Sequence, residues 1–319
     1  MNQILTPWEW RPEVLLVLGA AAVVYVAGWR RLRARSSAGA PRWRLPLYLG
    51  GLAAIGLALL SPVSVYSGVL LSAHMLQHQL LVMVAVPLLL LADPMPAILW
   101  GLPRPARRAV GGLLRSGAPV RRALWALTWM PVAGLLYVLT VSVWHVPAAY
   151  QASLGNPWLH DLQHLSFFAT AVLFWWPIVN PAPRLHRLTG GLGYGLRIGY
   201  VILATAHNTL LGAIIALTER VLYPAYAAAP RLFGLSTLDD QALAGGIMWS
   251  ASHMYLIAVL VILQRALGSE RIEPGPADAS AGWAVGGVGE EPRDQTSEEG
   301  VGPEQQAAAV HPGPDRRVT

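Results

Sequence analysis

The chain contains seven apolar stretches long enough to cross a bilayer, and no other feature limits its fold as severely. A spanning helix needs roughly 17–25 apolar residues. The stretches lie at about 12–29, 45–63, 69–92, 124–144, 158–178, 196–217 and 241–264. Inside hydrocarbon every backbone N–H and C=O must find a partner, and a single stretch of this length finds them within itself only as a helix. The expected fold is therefore all-α: an integral membrane protein whose residues 1–267 form a bundle of seven transmembrane helices. Only 13% of the chain is charged and its mean hydropathy is +0.45, where soluble chains carry about 25% charged residues. Glu9 and Glu13 stand at the start of the first stretch and its arginines follow it, so it reads as a retained span and not as a cleaved signal peptide.

All 23 positive charges are arginine, and they sort by loop. Arg30, Arg31, Arg33, Arg35, Arg42 and Arg44 follow the first stretch; Arg104, Arg107, Arg108, Arg115, Arg121 and Arg122 follow the third; Arg184, Arg187 and Arg197 follow the fifth. Loops 64–68 and 145–157 have none, and loop 218–240 has only Arg220 and Arg231. The positive-inside rule then puts the N-terminus outside and the C-terminus in the cytoplasm, as an odd number of spans requires. Because these arginines flank spans, the pI near 10 does not point to a nucleic-acid partner. Segment 104–122 reads either as a short helix lying on the cytoplasmic face or as a plain basic loop. From 268 onward the composition changes. Ten of the 17 acidic residues fall in 268–319 among Gly, Pro, Ser and Gln, which predicts a disordered cytoplasmic tail in which His311 has no role.

The absence of lysine excludes a retinal Schiff base, and the absence of cysteine excludes disulfides, thiolate ligands and iron–sulfur clusters. A soft-metal site would have to draw on His and Met. His74 and His78 stand roughly 8 and 14 Å down the third stretch, at an i, i+4 spacing that puts them on one helix face. His160 and His164 repeat that spacing in the fifth. His145 ends the fourth, and His207 lies below the outer end of the sixth. All six fall in the outer half. Ionisable residues at one depth in a membrane mark a functional site by default. Three readings stay open: ligation of a metal or haem, a proton or hydrogen-bond relay, and polar contacts that only join helices. His253 either joins them or bonds a neighbouring helix, and His186 reads as solvated in a basic loop.

Trp144, Trp158, Trp175 and Trp176 read as an interfacial belt. Pro87 is expected to kink the third span. Met75, Met83, Met248 and Met254 are either thioether donors or packing. Asp239 and Asp240 are expected to cap the seventh helix or to attract cations. No hydrolytic or phosphate-binding motif is present, so the chain reads as a non-enzyme, and acidic residues within spans are too few for an ion pump.

Several short motifs carry a family resemblance. They are His74-Met75-Leu76-Gln77-His78 with Pro87-Leu88, Trp144-His145-Val146-Pro147 with Tyr150, and His160-Asp161-Leu162-Gln163-His164. They continue with Phe174-Trp175-Trp176-Pro177, His207-Asn208 with Gly212, Tyr223-Pro224-Ala225-Tyr226, and Asp240-Gln241 leading to Met248-Trp249. In this order, over about 69–250, the chain resembles the seven-span CtaG family of cytochrome c oxidase assembly factors, first associated with caa-type oxidases of Gram-positive bacteria. His253 falls outside the pattern. The resemblance implies a protein of the bacterial plasma membrane that helps mature the oxidase by supplying copper. Its partners would be the oxidase subunits, a copper donor and the bilayer. Copper would be held by His74, His78, His160 and His164, with His145 and His207 as further ligands or supports. Met75, Gln77, Asp161, Gln163, Asn208 and Asp240 are the expected accessory residues. Two alternatives remain. One is a haem-binding membrane cytochrome ligated by His78 with His164 or by His145 with His207. The other is a copper transporter, which needs polar residues continuing to the cytoplasmic side, where the third, fifth and sixth spans are apolar.

Overall fold

The computed structural model describes residues 8–186 and 190–270, and all regular structure among them is helical. The helices are α1 (Pro12–Arg33), α2 (Arg44–Leu60), α3 (Pro62–Ser67), α4 (Leu71–Gln79), α5 (Val86–Leu91), α6 (Pro94–Gly101), α7 (Arg104–Leu114) and α8 (Pro119–Leu127). They continue with α9 (Met130–His145), α10 (Pro147–Gly155), α11 (Pro157–Val179), α12 (Gly190–Leu217), α13 (Pro224–Ala228), α14 (Thr237–Ser250) and α15 (Ser252–Glu270). Five described helical runs are long and apolar enough to cross a membrane: 12–33, 71–91, 157–179, 193–217 and 237–263. A sixth forms if α8 and α9, bent by 66°, are one span, and α2 is a shorter apolar helix of 17 residues. The expected fourth span at 124–144 thus begins in α8, and its straight part starts only at Met130, where Pro131 supplies a fixed φ for a helix start. The expected tail at 268–319 overlaps the end of α15; from 271 on, with His311, it lies outside the described residues.

Segment 104–122 folds as α7 and the start of α8. Both helices are amphipathic and bury no residue in the protein. Each begins with a proline in its first turn.

α4, α9, α11, α12 and α14 surround the main core. It contains Met75, Val82, Met83, Tyr137, Phe167, Phe174, Trp175, Met248 and Tyr255. The outward faces carry exposed Leu165, Leu203, Leu210 and Leu260. Such faces suit hydrocarbon, where only the interior contacts need be specific. α12 and α14 approach closely through Gly212 and Gly245: a Cβ on Gly245 would sit 2.6 Å from the Gly212 carbonyl oxygen. α1, α2 and α6 form a second cluster in which Tyr25 stacks on Tyr48.

The third span is continuous but not uniformly α-helical. Leu80–Ala85 forms a π-helical turn, in which the Val86 N–H donates to the Leu81 carbonyl five residues back. Pro87 has no N–H to give the next carbonyl, that of Val82. The indole N–H of Trp175 donates to it instead, at 3.1 Å. The expected proline disturbance is therefore a π turn that α11 completes. Trp175 is 3% exposed and belongs to the core, not to an interfacial belt, whereas Trp158 is exposed.

Candidate metal centre

α4 starts without a side-chain cap of its own. Its first two N–H groups, from Leu71 and Ser72, donate to the carboxylate of Asp240 on α14, at 2.7 and 3.1 Å. The Ser72 hydroxyl donates to the same carboxylate. Asp240 therefore caps the histidine-bearing helix and not its own. The cap of α14 is Ser236, which forms a reciprocal capping box with Asp239. α11 starts on Asn156, whose side chain accepts from the N–H groups of Trp158 and Leu159. These caps set the level at which His74, His78, His160 and His164 face one another.

The rings of His74 and His78 lie 4.4 Å apart, those of His160 and His164 4.3 Å, and the two helices meet at 5.1 Å (His74–His160) and 5.2 Å (His78–His164). His74, His78 and His164 are buried, and one ring nitrogen of each lies within 4.8 Å of the others. His160 is half-buried at their outer side. The structure thus brings together the four histidines expected as the core of a site.

Their hydrogen bonds decide which nitrogens are free. The Tyr226 hydroxyl donates to the Ser67 carbonyl at 3.0 Å, so its oxygen can only accept from His74 Nδ1, at 2.9 Å. Burial raises the pKa of Tyr226 and of Tyr150, so both phenols keep their protons. His74 is therefore the Nδ1–H tautomer, with the Nε2 lone pair free. His145 is fixed likewise: its Nδ1 donates to the Val141 carbonyl at 2.7 Å. The orphans are His74 Nε2, both nitrogens of His78 and of His164, and His145 Nε2, all buried without a hydrogen-bond partner. Buried polar atoms are nearly always paired, and each exception needs an explanation. A tautomer fixed from behind by an oxygen, with the other nitrogen exposed to a common point, is how metal-binding imidazoles are held.

A cavity of about 680 Å³ leads to this group, lined by Glu9, Trp10, Arg11, Ser64, His160 and His164 among others. Asp161 lines a neighbouring cavity with Arg11 and His164 and pairs with Arg11 at 3.1 Å.

The remaining expected residues divide. Met75 and Asn208 are buried and line, with His78 and His145, a small cavity. Gln163 is fully buried, with its side-chain amide close to the His74 ring. Gln77 lines the outer cavity with His160 and His164 and donates to the Ala58 carbonyl and the Ser64 hydroxyl, so fastening α4 to α2 and α3. His207 does not reach the group; half-buried, it pairs through Nε2 with the Ser142 hydroxyl at 2.9 Å. His253 is exposed and bonds the Ser250 carbonyl of its own turn. His186 is not simply solvated: it is half-buried, bonds the Thr128 hydroxyl at 2.9 Å and lies near Trp125, and burial lowers its pKa. Tyr226 and Arg11 received no role from the sequence. The signal for Tyr226 was its place in the motif Tyr223-Pro224-Ala225-Tyr226, in an Arg-poor loop.

Residues 23–268 match the family model described as cytochrome c oxidase caa3 assembly factor. The chain is 29% identical over 273 residues to uncharacterized proteins of Mycobacterium bovis and Mycobacterium tuberculosis, covering 82% of this chain and 39% of each relative. An uncharacterized protein of Mycobacterium leprae is 28% identical over 272 residues, 80% of this chain and 38% of that protein. The chain therefore spans about two fifths of the length of these relatives. No solved structure matches it. The matched stretch covers four of the five helical runs whole and the second half of the first, and the chain belongs to the caa3-type cytochrome c oxidase assembly factor family.

Proposed function

From that membership we propose that the protein binds copper at the outer face of a bacterial plasma membrane and passes it to a cytochrome c oxidase subunit during assembly. The observation that carries the reading is the set of three buried histidines whose free nitrogens lie within 4.8 Å of one another. Neutral imidazoles suit copper, zinc, iron and nickel, and of these a cytochrome c oxidase carries copper and, within its haems, iron. Copper is here the cargo. His74, His78 and His164 would hold it, and His160, nearer the open cavity, would take it first or surrender it last. A site of neutral nitrogens without thiolate releases its ion more readily than a closed thiolate cage, and protonation of the rings weakens it further.

Seven spans with the N-terminus outside remain the preferred topology: the five long runs, the bent α8–α9 pair and α2. Arg31, Arg33 and Arg121, from two of the three loops expected in the cytoplasm, bond the Trp100, Gly101, Ala40 and Arg184 carbonyls, which lie in all three. The outer face is then the histidine end.

Packing favours an ion over a haem. The rings of His74, His78 and His164 lie 4.4–6.0 Å apart, with no slot between them for a porphyrin. Delivery is favoured over transport because the helices beyond His78 and His164 close over Val82, Met83, Phe167, Phe174 and Trp175. The assembly role is non-catalytic.

The test is the copper content of the oxidase in cells deleted for this gene and complemented with wild type or His74→Ala/His78→Ala. Oxidase short of copper in the deletion, restored by wild type but not by the variant at equal membrane level, is the expected result. Full copper in the deletion strain would overturn the delivery role.

A further inference from the structure

Beyond His78, on the side away from the open cavity, lies a small space of about 20 Å³ between α4, α9, α11, α12 and α14, lined mostly by buried residues. It is lined by His78, His145, Met75, Met248, Asn208 and Phe167, among others. That volume accepts about one water-sized sphere or one bare ion. Met75 and Met248 are 0% and 1% exposed, and Met75 stands three residues before His78, on the same side of α4.

The donors around this space form a distinct set. His145 offers Nε2 and holds its proton at Nδ1 against Val141, as above. His78 has both nitrogens buried and unpartnered. The Asn208 amide N–H groups go to the Met248 carbonyl and the Ser252 hydroxyl, so they fix α12 to α14. No carboxylate lines the space. Imidazole with thioether, and no carboxylate, selects Cu(I) over zinc, magnesium or calcium.

We propose that His78, His145, Met75 and Met248 form a second, thioether-containing Cu(I) position inside the three-histidine group. The proposal rests on the copper reading above and extends it. His78 belongs to both groups, so it is the residue across which an ion passes between a position open to the outer cavity and one closed in the core. The inner position holds the ion out of water, where Cu(I) is protected from oxidation, until the outer one is free to release it. The commonest occupant of a polar space this small is a water molecule, and the experiment separates the two.

The full-length protein in detergent is loaded with Cu(I) under anaerobic reducing conditions and examined by metal analysis and copper X-ray absorption. Wild type is expected to bind two ions per chain with sulfur among the nearest neighbours. Met75→Leu/Met248→Leu conserves volume and should fold. It is expected to lose the sulfur signal and one of the two ions. His74→Ala/His164→Ala is expected to do the reverse, keeping one sulfur-bound ion. One ion per wild-type chain with nitrogen neighbours only would overturn the inner position and leave the outer copper site standing. A sulfur signal that survives the methionine changes would also overturn it. A folded chain that takes up no copper would remove both positions together.

Discussion

The histidine end of the bundle and the aromatic core beyond it are built from the same helices and buried to the same degree, yet they treat their polar atoms in opposite ways. In the aromatic core, Trp175 Nε1 serves the Val82 carbonyl, the Tyr137 and Tyr255 hydroxyls pair at 2.9 Å, and the Tyr200 hydroxyl donates to the Phe174 carbonyl. Trp176 Nε1 is the exception on that stretch of α11. One turn before Val82 on α4, the two nitrogens of His78 have no partner, nor have those of His164 on α11. A buried polar group without a partner costs about 1–3 kcal/mol, more than a fold keeps for nothing several times in one place. The paired polar atoms join one helix to another, and the unpaired ring nitrogens of His78 and His164 do not.

Substitutions of matched size break this contrast most directly. His78→Leu should lower Cu(I) affinity by about 100-fold or more while leaving the thermal unfolding midpoint unchanged or raised, because it removes an orphan along with a ligand. A lower midpoint with unchanged affinity would mean that the histidines serve packing. Trp175→Phe should do the opposite, destabilising the protein by about 1–3 kcal/mol through the abandoned Val82 carbonyl, with the affinity unaltered. Loss of copper in that variant, at a temperature where it remains folded, would dissolve the distinction between the two regions. Tyr226→Phe sharpens it: the ring stays but His74 loses the oxygen that fixes its tautomer. Supporting changes of this kind typically cost 10–100-fold in metal affinity. Tyr137→Phe, which removes a hydroxyl of similar burial from the aromatic core, should leave affinity within about twofold. The smallest effect is expected from Asp240→Asn, which weakens the cap on α4 by about 0.5–2 kcal/mol, measured as a drop in unfolding midpoint. An unchanged midpoint there would mean that α4 is held by its side contacts alone.

The same contrast explains what could be read from the sequence. Apolar length is a one-dimensional property, so the long helices at 12–33, 71–91, 157–179, 193–217 and 237–263 were legible within a few residues. The i, i+4 pairs at 74/78 and 160/164 were legible for the same reason, since a helix maps spacing onto a face. What failed depended on pairing between elements. Asp240 looked like the cap of its own helix, but a carboxylate at a helix start can reach a neighbour, and here Ser236 and Asp239 leave it free to do so. Trp175 looked interfacial from its place near a span end, while its partner is a carbonyl 93 positions earlier that Pro87 leaves without a donor. His207 pairs with the Ser142 hydroxyl and His253 with a carbonyl of its own turn, and neither reaches the group. The π turn at 80–85 has no sequence signature beyond the proline that follows it.

The most direct measurement is a Cu(I) titration of the full-length protein in detergent against a chromophoric competitor, with wild type beside His74→Ala/His78→Ala. Copper drawn from the competitor by wild type and not by the variant, with both unfolding at similar temperatures, is the predicted result. Equal uptake by the two proteins, or no uptake by a folded wild type, would contradict the assignment of the buried histidines to a metal.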